Sequence, residues 1–202
     1  MPQSQPFSQP TGETRVRHIF SLGDSLTAGY QLPLEYSYPS QLQNILVGRG
    51  YAVRVVNGGH SGDTSRQLLT RLEWTIRQSQ TGDLAILVIG ANDAFQGLPL
   101  DDIEETIQQI IDVLKNRGLV VVLGGMMINP NYGIEYASGF ATIFPRLASL
   151  NDLPLIPFFL DNVAAVPELN LPDGIHPTKE GYAIIARQVA DFLETNGLID
   201  AE

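Results

Sequence analysis

The chain contains no cysteine in its 202 residues. Disulfide staples, thiolate catalysis and cysteine-type zinc sites are therefore excluded. Positive charge is scarce: 12 Lys and Arg stand against 22 Asp and Glu, a formal charge of -10, and the basic residues form no run. A surface of that sign repels phosphate backbones and anionic membranes, so nucleic acid is not expected as a partner. Histidine is equally sparse, at three, with no His-x-x-x-His and no paired-carboxylate cluster. No metal is expected on that spacing. No apolar run approaches the roughly 20 residues of a membrane-spanning helix, so no stable membrane insertion is expected. The first 15 residues are rich in Gln, Ser and Pro and have neither the basic start nor the apolar stretch of a secretory signal. As written, the chain is expected in the cytoplasm, and in the periplasm or outside the cell if a leader was removed.

What the chain does have is enough apolar content, 44%, to bury one sizeable core. A single domain over residues 15–202 is expected, preceded by a disordered tail over 1–14. Short apolar runs at Val16–Leu22, Ala52–Val56, Leu84–Ile89, Leu119–Leu123 and Leu155–Phe159 alternate with segments of helical period. Ile103, Ile107, Ile110, Ile111 and Leu114 share one helix face, opened by Asp101 as a cap and closed by Gly118. Thr64 and Gln67 form a capping box ahead of Leu68, Leu69, Leu72 and Ile76. A last helix after Pro177 buries Ile184, Ile185, Val189, Phe192 and Leu193. Repeated strand–helix units predict an α/β fold, a parallel sheet covered on both faces in a three-layer α/β/α sandwich. Ligands of such sheets bind at the carboxyl ends of the strands. Ser25, Gly62 and Asn92, following the first, second and third runs, should converge there.

The residues on that edge suit nucleophilic catalysis. A serine needs a base to take its proton, and the base needs an acid to fix its tautomer. Ser25, in Gly23-Asp24-Ser25-Leu26, reads either as a helix-cap serine or as a nucleophile whose own N–H is an oxyanion donor. Asp24 is its neighbour in sequence and points away, so it reads as a loop carboxylate bonding backbone amides. His176 has Asp173 three residues upstream, Gly174 to let the backbone bend and Pro177 to keep it out of a helix. His18 lies inside the first strand, while His60 lies near Gly62 and is a reserve candidate for substrate contact. Gly62 offers an uncrowded N–H and Asn92 an amide, although each also suits a plain turn.

Gly23 to Leu26, Gly62-Asp63-Thr64-Ser65, Gly90-Ala91-Asn92-Asp93 and Asp173-x-x-His176 stand in the order of the four blocks of the SGNH (GDSL) hydrolases, and the chain resembles that family over most of its length. The strings Gly23 to Tyr30, Met127 to Gly133 and Asp173 to Tyr182 are similar to its thioesterase I, arylesterase and lysophospholipase branch. Ala91 stands where that branch has a second glycine. The resemblance implies a five-stranded, flavodoxin-like sheet of order 2-1-3-4-5, a triad of Ser25, His176 and Asp173, oxyanion donors at Gly62 and Asn92, a structural Asp93, and no metal or other cofactor.

The expected activity is hydrolysis of carboxylic esters through an acyl intermediate on Ser25, with acyl and aryl esters, lysophospholipids and acyl thioesters as substrates. Leu32, Phe95, Leu98, Ile128, Pro130 and Tyr132 are the candidate substrate-binding residues, because they lie on loops at the active edge. The protein is expected to be a monomer with a small-molecule substrate. Deacetylation of a sugar is the alternative within the family. A non-catalytic acyl- or glycan-binding protein is the alternative outside enzymes, and the complete Ser, Gly, Asn and His set speaks against it.

Overall fold

The structure, a computed structural model, describes residues 16–199; the expected tail over 1–14 lies outside them. Five strands form one parallel sheet, β1 (Arg17–Gly23), β2 (Val53–Gly59), β3 (Leu84–Val88), β4 (Val120–Gly124) and β5 (Leu155–Ile156), in the order β2-β1-β3-β4-β5. The helices are α1 (Ser25–Ala28), α2 (Tyr38–Gly48), α3 (Ser65–Thr75), α4 (Ala91–Phe95), α5 (Leu100–Asn116), α6 (Ile134–Asn151) and α7 (Lys179–Thr195).

Strand order and crossover handedness together fix the layers. The step from β1 to β2 runs one way across the sheet, whereas the steps from β2 to β3, β4 and β5 run the other. Right-handed crossovers therefore put α2 on one face and α3, α5 and α6 on the opposite face. Contacts agree, since α2 packs with α7, and α5 packs with both α3 and α6. The result is the three-layer sandwich that the sequence pattern predicts. β3, at the centre, is buried along its whole length.

Local chemistry accounts for most boundaries. The capping box is present: Thr64 Oγ1 accepts from the Gln67 amide, and Gln67 reaches back to the Thr64 amide. On α5 the five expected apolar residues are buried, but the helix starts one residue before Asp101, with Pro99 at the cap position. Asp101 and Asp102 act instead in the first turn, where negative charge offsets the exposed N–H groups. On α7, Ile185, Val189 and Leu193 are buried, while Ile184 and Phe192 are only half-buried.

Three strands lie within one residue of the expected runs at each end, and two differ by more. β2 runs on through Asn57, Gly58 and Gly59, paired with Ser21, Leu22 and Gly23. Its glycines are packing residues rather than turn residues: a Cβ on Gly59 would sit 2.2 Å from the Ala28 amide nitrogen. β5 is only Leu155–Ile156, not Leu155–Phe159, because Pro157 has no N–H to continue the ladder.

Candidate active site

β1 ends at Gly23 and α1 begins at Ser25, so the serine stands at the carboxyl edge of the sheet. Asp24 makes this sharp transition possible by accepting the Leu26 amide at 2.9 Å through Oδ1 and capping the one-turn helix. Ser25 occupies the first helical position, where its N–H has no intrahelical acceptor.

The histidine arrives from the other end of the chain on a loop tied at its base. The Leu171 amide donates to the His176 carbonyl at 2.7 Å, and Asn170 bridges to Pro177. Within this loop Gly174 adopts φ +70, a left-handed turn that an L side chain resists. The turn folds Asp173 back onto the residues that follow it. Asp173 Oδ1 accepts the amides of Ile175 and His176 at 2.9 and 3.0 Å, and Oδ2 lies 2.8 Å from His176 Nδ1. His176 Nε2 lies 2.9 Å from Ser25 Oγ. Burial pushes the Asp173 carboxyl up, but the two amides and the imidazole outweigh it and hold the group down at about 2. An ionised carboxylate only accepts, so Nδ1 carries the ring proton and Nε2 is left to accept from the Ser25 hydroxyl.

Asn92 comes from the short helix after β3. Gly90, at φ +109, makes the left-handed bend before it, and Ala91 sits inside α4. One glycine suffices for the turn, which accounts for the alanine beside it. Asn92 Nδ2 donates to the Asp63 carbonyl at 2.9 Å and lies 3.4 Å from Asp24 Oδ2. Gly62 has φ +90, and a Cβ there would meet nothing within 4 Å. Conformation, not space, demands glycine there. Among the described residues the Gly62 amide has no acceptor.

Two further carboxylates shape the floor. Asp93 takes the Ser65 amide and hydroxyl at 2.8 and 2.6 Å, anchoring the start of α3, as a structural residue would. Asp24 is 2% exposed, and burial, with smaller contributions from Asp93 and Asp63, pushes its carboxyl up to about 7 against the pull of the Leu26 amide. Arg71 on α3 ties the loop of Gly62 to the end of β1, with Nε on Asp63 Oδ2 at 2.6 Å and Nη2 on the Gly23 carbonyl at 3.0 Å.

Ser25, Asn92, Asp173 and His176 open together into a groove of about 850 Å³. Of the six candidate substrate residues, Phe95, Ile128 and Tyr132 line it, and Leu32, Leu98 and Pro130 do not. Leu32 and Leu98 pack half-buried against the core, and Pro130 opens an exposed 3-10 turn. Sequence reasoning missed Met126, Phe158 and Leu160. Phe158 and Leu160 follow β5, so the rule that placed the other loops at this edge also applies to them. His60 is outside the groove, bonded to Asp63 and largely exposed. His18 is paired with Asp83. Among the described residues no group of three or more His, Asp or Glu is arranged to hold a metal, and no helix is long and apolar enough to cross a membrane.

Residues 21–184 match the family model described as GDSL-like lipase/acylhydrolase. The chain belongs to that family. It is 42% identical over 175 residues to an arylesterase of Vibrio mimicus, covering 87% of each chain. It is 35% identical over 176 residues to the thioesterase 1/protease 1/lysophospholipase L1 of Escherichia coli (strain K12), covering 87% of this chain and 83% of the relative. The crystal structure of TesA superposes with a TM-score of 0.83 at 29% identity over 89% of this chain and 99% of that one. The five-stranded sheet flanked by helices found here is consistent with the α/β fold of that neighbour.

Proposed function

We propose that this GDSL-like chain is a serine hydrolase of carboxylic esters that works through an acyl intermediate on Ser25. One observation carries the reading: an unbroken relay from Asp173 through His176 to Ser25, with contacts of 2.8 and 2.9 Å, opening into the groove. Family membership and the esterase relatives support the same chemistry.

His176 Nε2 takes the proton of Ser25 as Oγ attacks the substrate carbonyl, and Asp173 stabilises the imidazolium that forms. The carbonyl oxygen becomes anionic and meets the N–H groups of Ser25 and Gly62 and the amide of Asn92. Asn92 keeps one proton on the Asp63 carbonyl. Its other proton, held by Asp24 only at a long 3.4 Å, is the one offered. Nε2 then protonates the departing oxygen or sulfur, and water repeats the sequence to free the acid.

Phe95, Met126, Ile128, Phe158 and Leu160 give the groove apolar walls, which suit the acyl chain of an aryl ester, a lysophospholipid or a thioester. Such walls disfavour the sugar-ester alternative. The test is hydrolysis of p-nitrophenyl esters and acyl thioesters of graded chain length, together with labelling by a serine-directed phosphonate. Covalent mass should appear on Ser25, and esters with chains longer than acetate should be preferred. Turnover undiminished in Ser25→Ala would refute the assignment.

A further inference from the structure

The relay fixes the edges of the His176 imidazole but leaves its faces undetermined. One face is covered. The Tyr30 ring lies 4.3 Å from the imidazole, centroid to centroid, with the planes inclined by 34°. That separation is within the range in which an aromatic face stabilises a cation.

The backbone places Tyr30 there at some conformational cost. After a single turn of helix the chain reverses at Gly29, φ +85, where a Cβ would sit 2.7 Å from that of Ser37. The Tyr30 amide donates to the Ser25 carbonyl at 3.2 Å, and Gln31 is itself left-handed at φ +58. Tyr30 is thus bracketed by two left-handed residues, one of them not a glycine. Strain of this kind persists where surrounding structure enforces it, and it clusters at functional sites.

We infer that Tyr30 is a positioning residue for His176, holding the imidazole in register between Ser25 and Asp173 and stabilising its cationic form through the ring face. This inference rests on the ester-hydrolase reading, because only there does His176 become positively charged during turnover. The charge appears when Nε2 takes the Ser25 proton and is lost when that proton passes to the leaving group. An aromatic face that attracts the cation more than the neutral ring stabilises, relative to free enzyme and substrate, both transition states, since each carries imidazolium character, and it does so without touching substrate. The groups around the imidazole are Asp173 from its own loop and the Ser25 hydroxyl from α1. Beside Ser25, Tyr182 from α7 donates to its carbonyl at 3.3 Å, and the preceding residue, Asp24, accepts the Leu26 amide. Tyr30 adds no formal charge to this set, so its effect is separable from theirs.

The experiment compares Tyr30→Phe with Tyr30→Leu in the full chain. Phe keeps the ring face and should stay within about 2-fold of the parent in kcat. Leu keeps apolar bulk without the face, and should lower kcat by roughly 3- to 30-fold with KM little changed. It should also move the acid limb of the kcat/KM profile to lower pH. NMR titration of the His176 ring gives a readout independent of turnover: the Leu variant should titrate at lower pH than the parent, and the Phe variant with the parent. A Leu variant whose titration and pH profile are unmoved would overturn the inference, whatever its kcat, and so would a Phe variant as impaired as Leu. If the parent failed to hydrolyse any ester while the titrations shifted as stated, the activity reading would fail and the stacking of Tyr30 on His176 would stand.

Discussion

Arg71 is bonded at once to the Asp63 carboxylate and to the Gly23 carbonyl, so one guanidinium spans the loop of Gly62 and the strand end before Ser25. Asp63 is 5% exposed, and removing its cation leaves a buried carboxylate without its main partner. Arg71→Met should lower kcat about 10- to 100-fold with a smaller change in KM, since a donor misplaced by a fraction of an ångström is lost mainly in the transition state. Lysine cannot reproduce the forked contact. Arg71→Lys should therefore recover little, and steady-state kinetics on both variants checks this. Normal kcat in Arg71→Met would make the bridge a stability element alone.

Ser25→Ala and His176→Ala should each reduce kcat by several orders of magnitude, and the double variant should be hardly worse than either. Asp173→Asn should cost somewhat less. It keeps an acceptor oxygen for the Ile175 and His176 amides but loses the charge that faces the imidazolium. Circular dichroism and burst kinetics on the purified variants separate lost chemistry from lost fold. Because Asp173 is held down at about 2, it stays ionised throughout the range above pH 4, and its titration should not appear in the activity profile there.

The part of the site most legible in the sequence was the part built locally. Asp173 and His176 meet within one loop, with a glycine at the bend, and Ser25 follows directly on an apolar run. The five strands were legible for a similar reason, because a buried parallel strand is a continuous apolar stretch. Arg71 left no such trace: its acceptor at Gly23 is 48 residues away, and an arginine on an amphipathic helix has no local mark of what it reaches. Gly58 and Gly59 lie beyond the apolar run Ala52–Val56 because what requires them is tertiary, Thr75 of α3 and the β1 backbone against Gly58 and α1 against Gly59. α6 was obscured by Pro145 inside it and by Gly139, whose missing side chain makes room for Leu100. Leu32, Leu98 and Pro130 show the limit of reading apolar loop residues as groove. Sequence placed them on the right edge, and packing turned the two leucines toward the core.

Asp24 makes a prediction about stability rather than rate. Its carboxyl is raised to about 7 from the ordinary 3.8, chiefly by burial, so the folded chain retains a proton that the unfolded chain releases. The stabilisation from that proton is complete below about pH 3.8, declines as pH rises from there, and is gone once pH has passed through 7. Asparagine can still cap the Leu26 amide but cannot ionise. Thermal unfolding of Asp24→Asn and the parent should therefore show similar midpoints near pH 4, with the variant gaining relative to the parent toward pH 8. A difference in midpoint independent of pH would mean that Asp24 does not titrate in this window.

Asn92 offers the sharpest separation of binding from catalysis. Its amide already donates one proton to the Asp63 carbonyl at 2.9 Å, so the side chain is oriented before substrate arrives and needs no reorganisation. The oxygen it would serve carries full negative charge only as the tetrahedral intermediate forms. Loss of one such donor typically costs 10²–10³ in kcat, and Asn92→Ala should fall in roughly that range with KM changed only slightly. Asn92→Asp tests the sign of the interaction, because it replaces a donor with an acceptor close to Asp24 and Asp63. It should be worse than alanine above the pH at which the new carboxyl ionises. If Asn92→Ala instead kept kcat and raised KM greatly, the amide would be a substrate-binding group, and the developing charge would be left to the backbone N–H groups of Ser25 and Gly62.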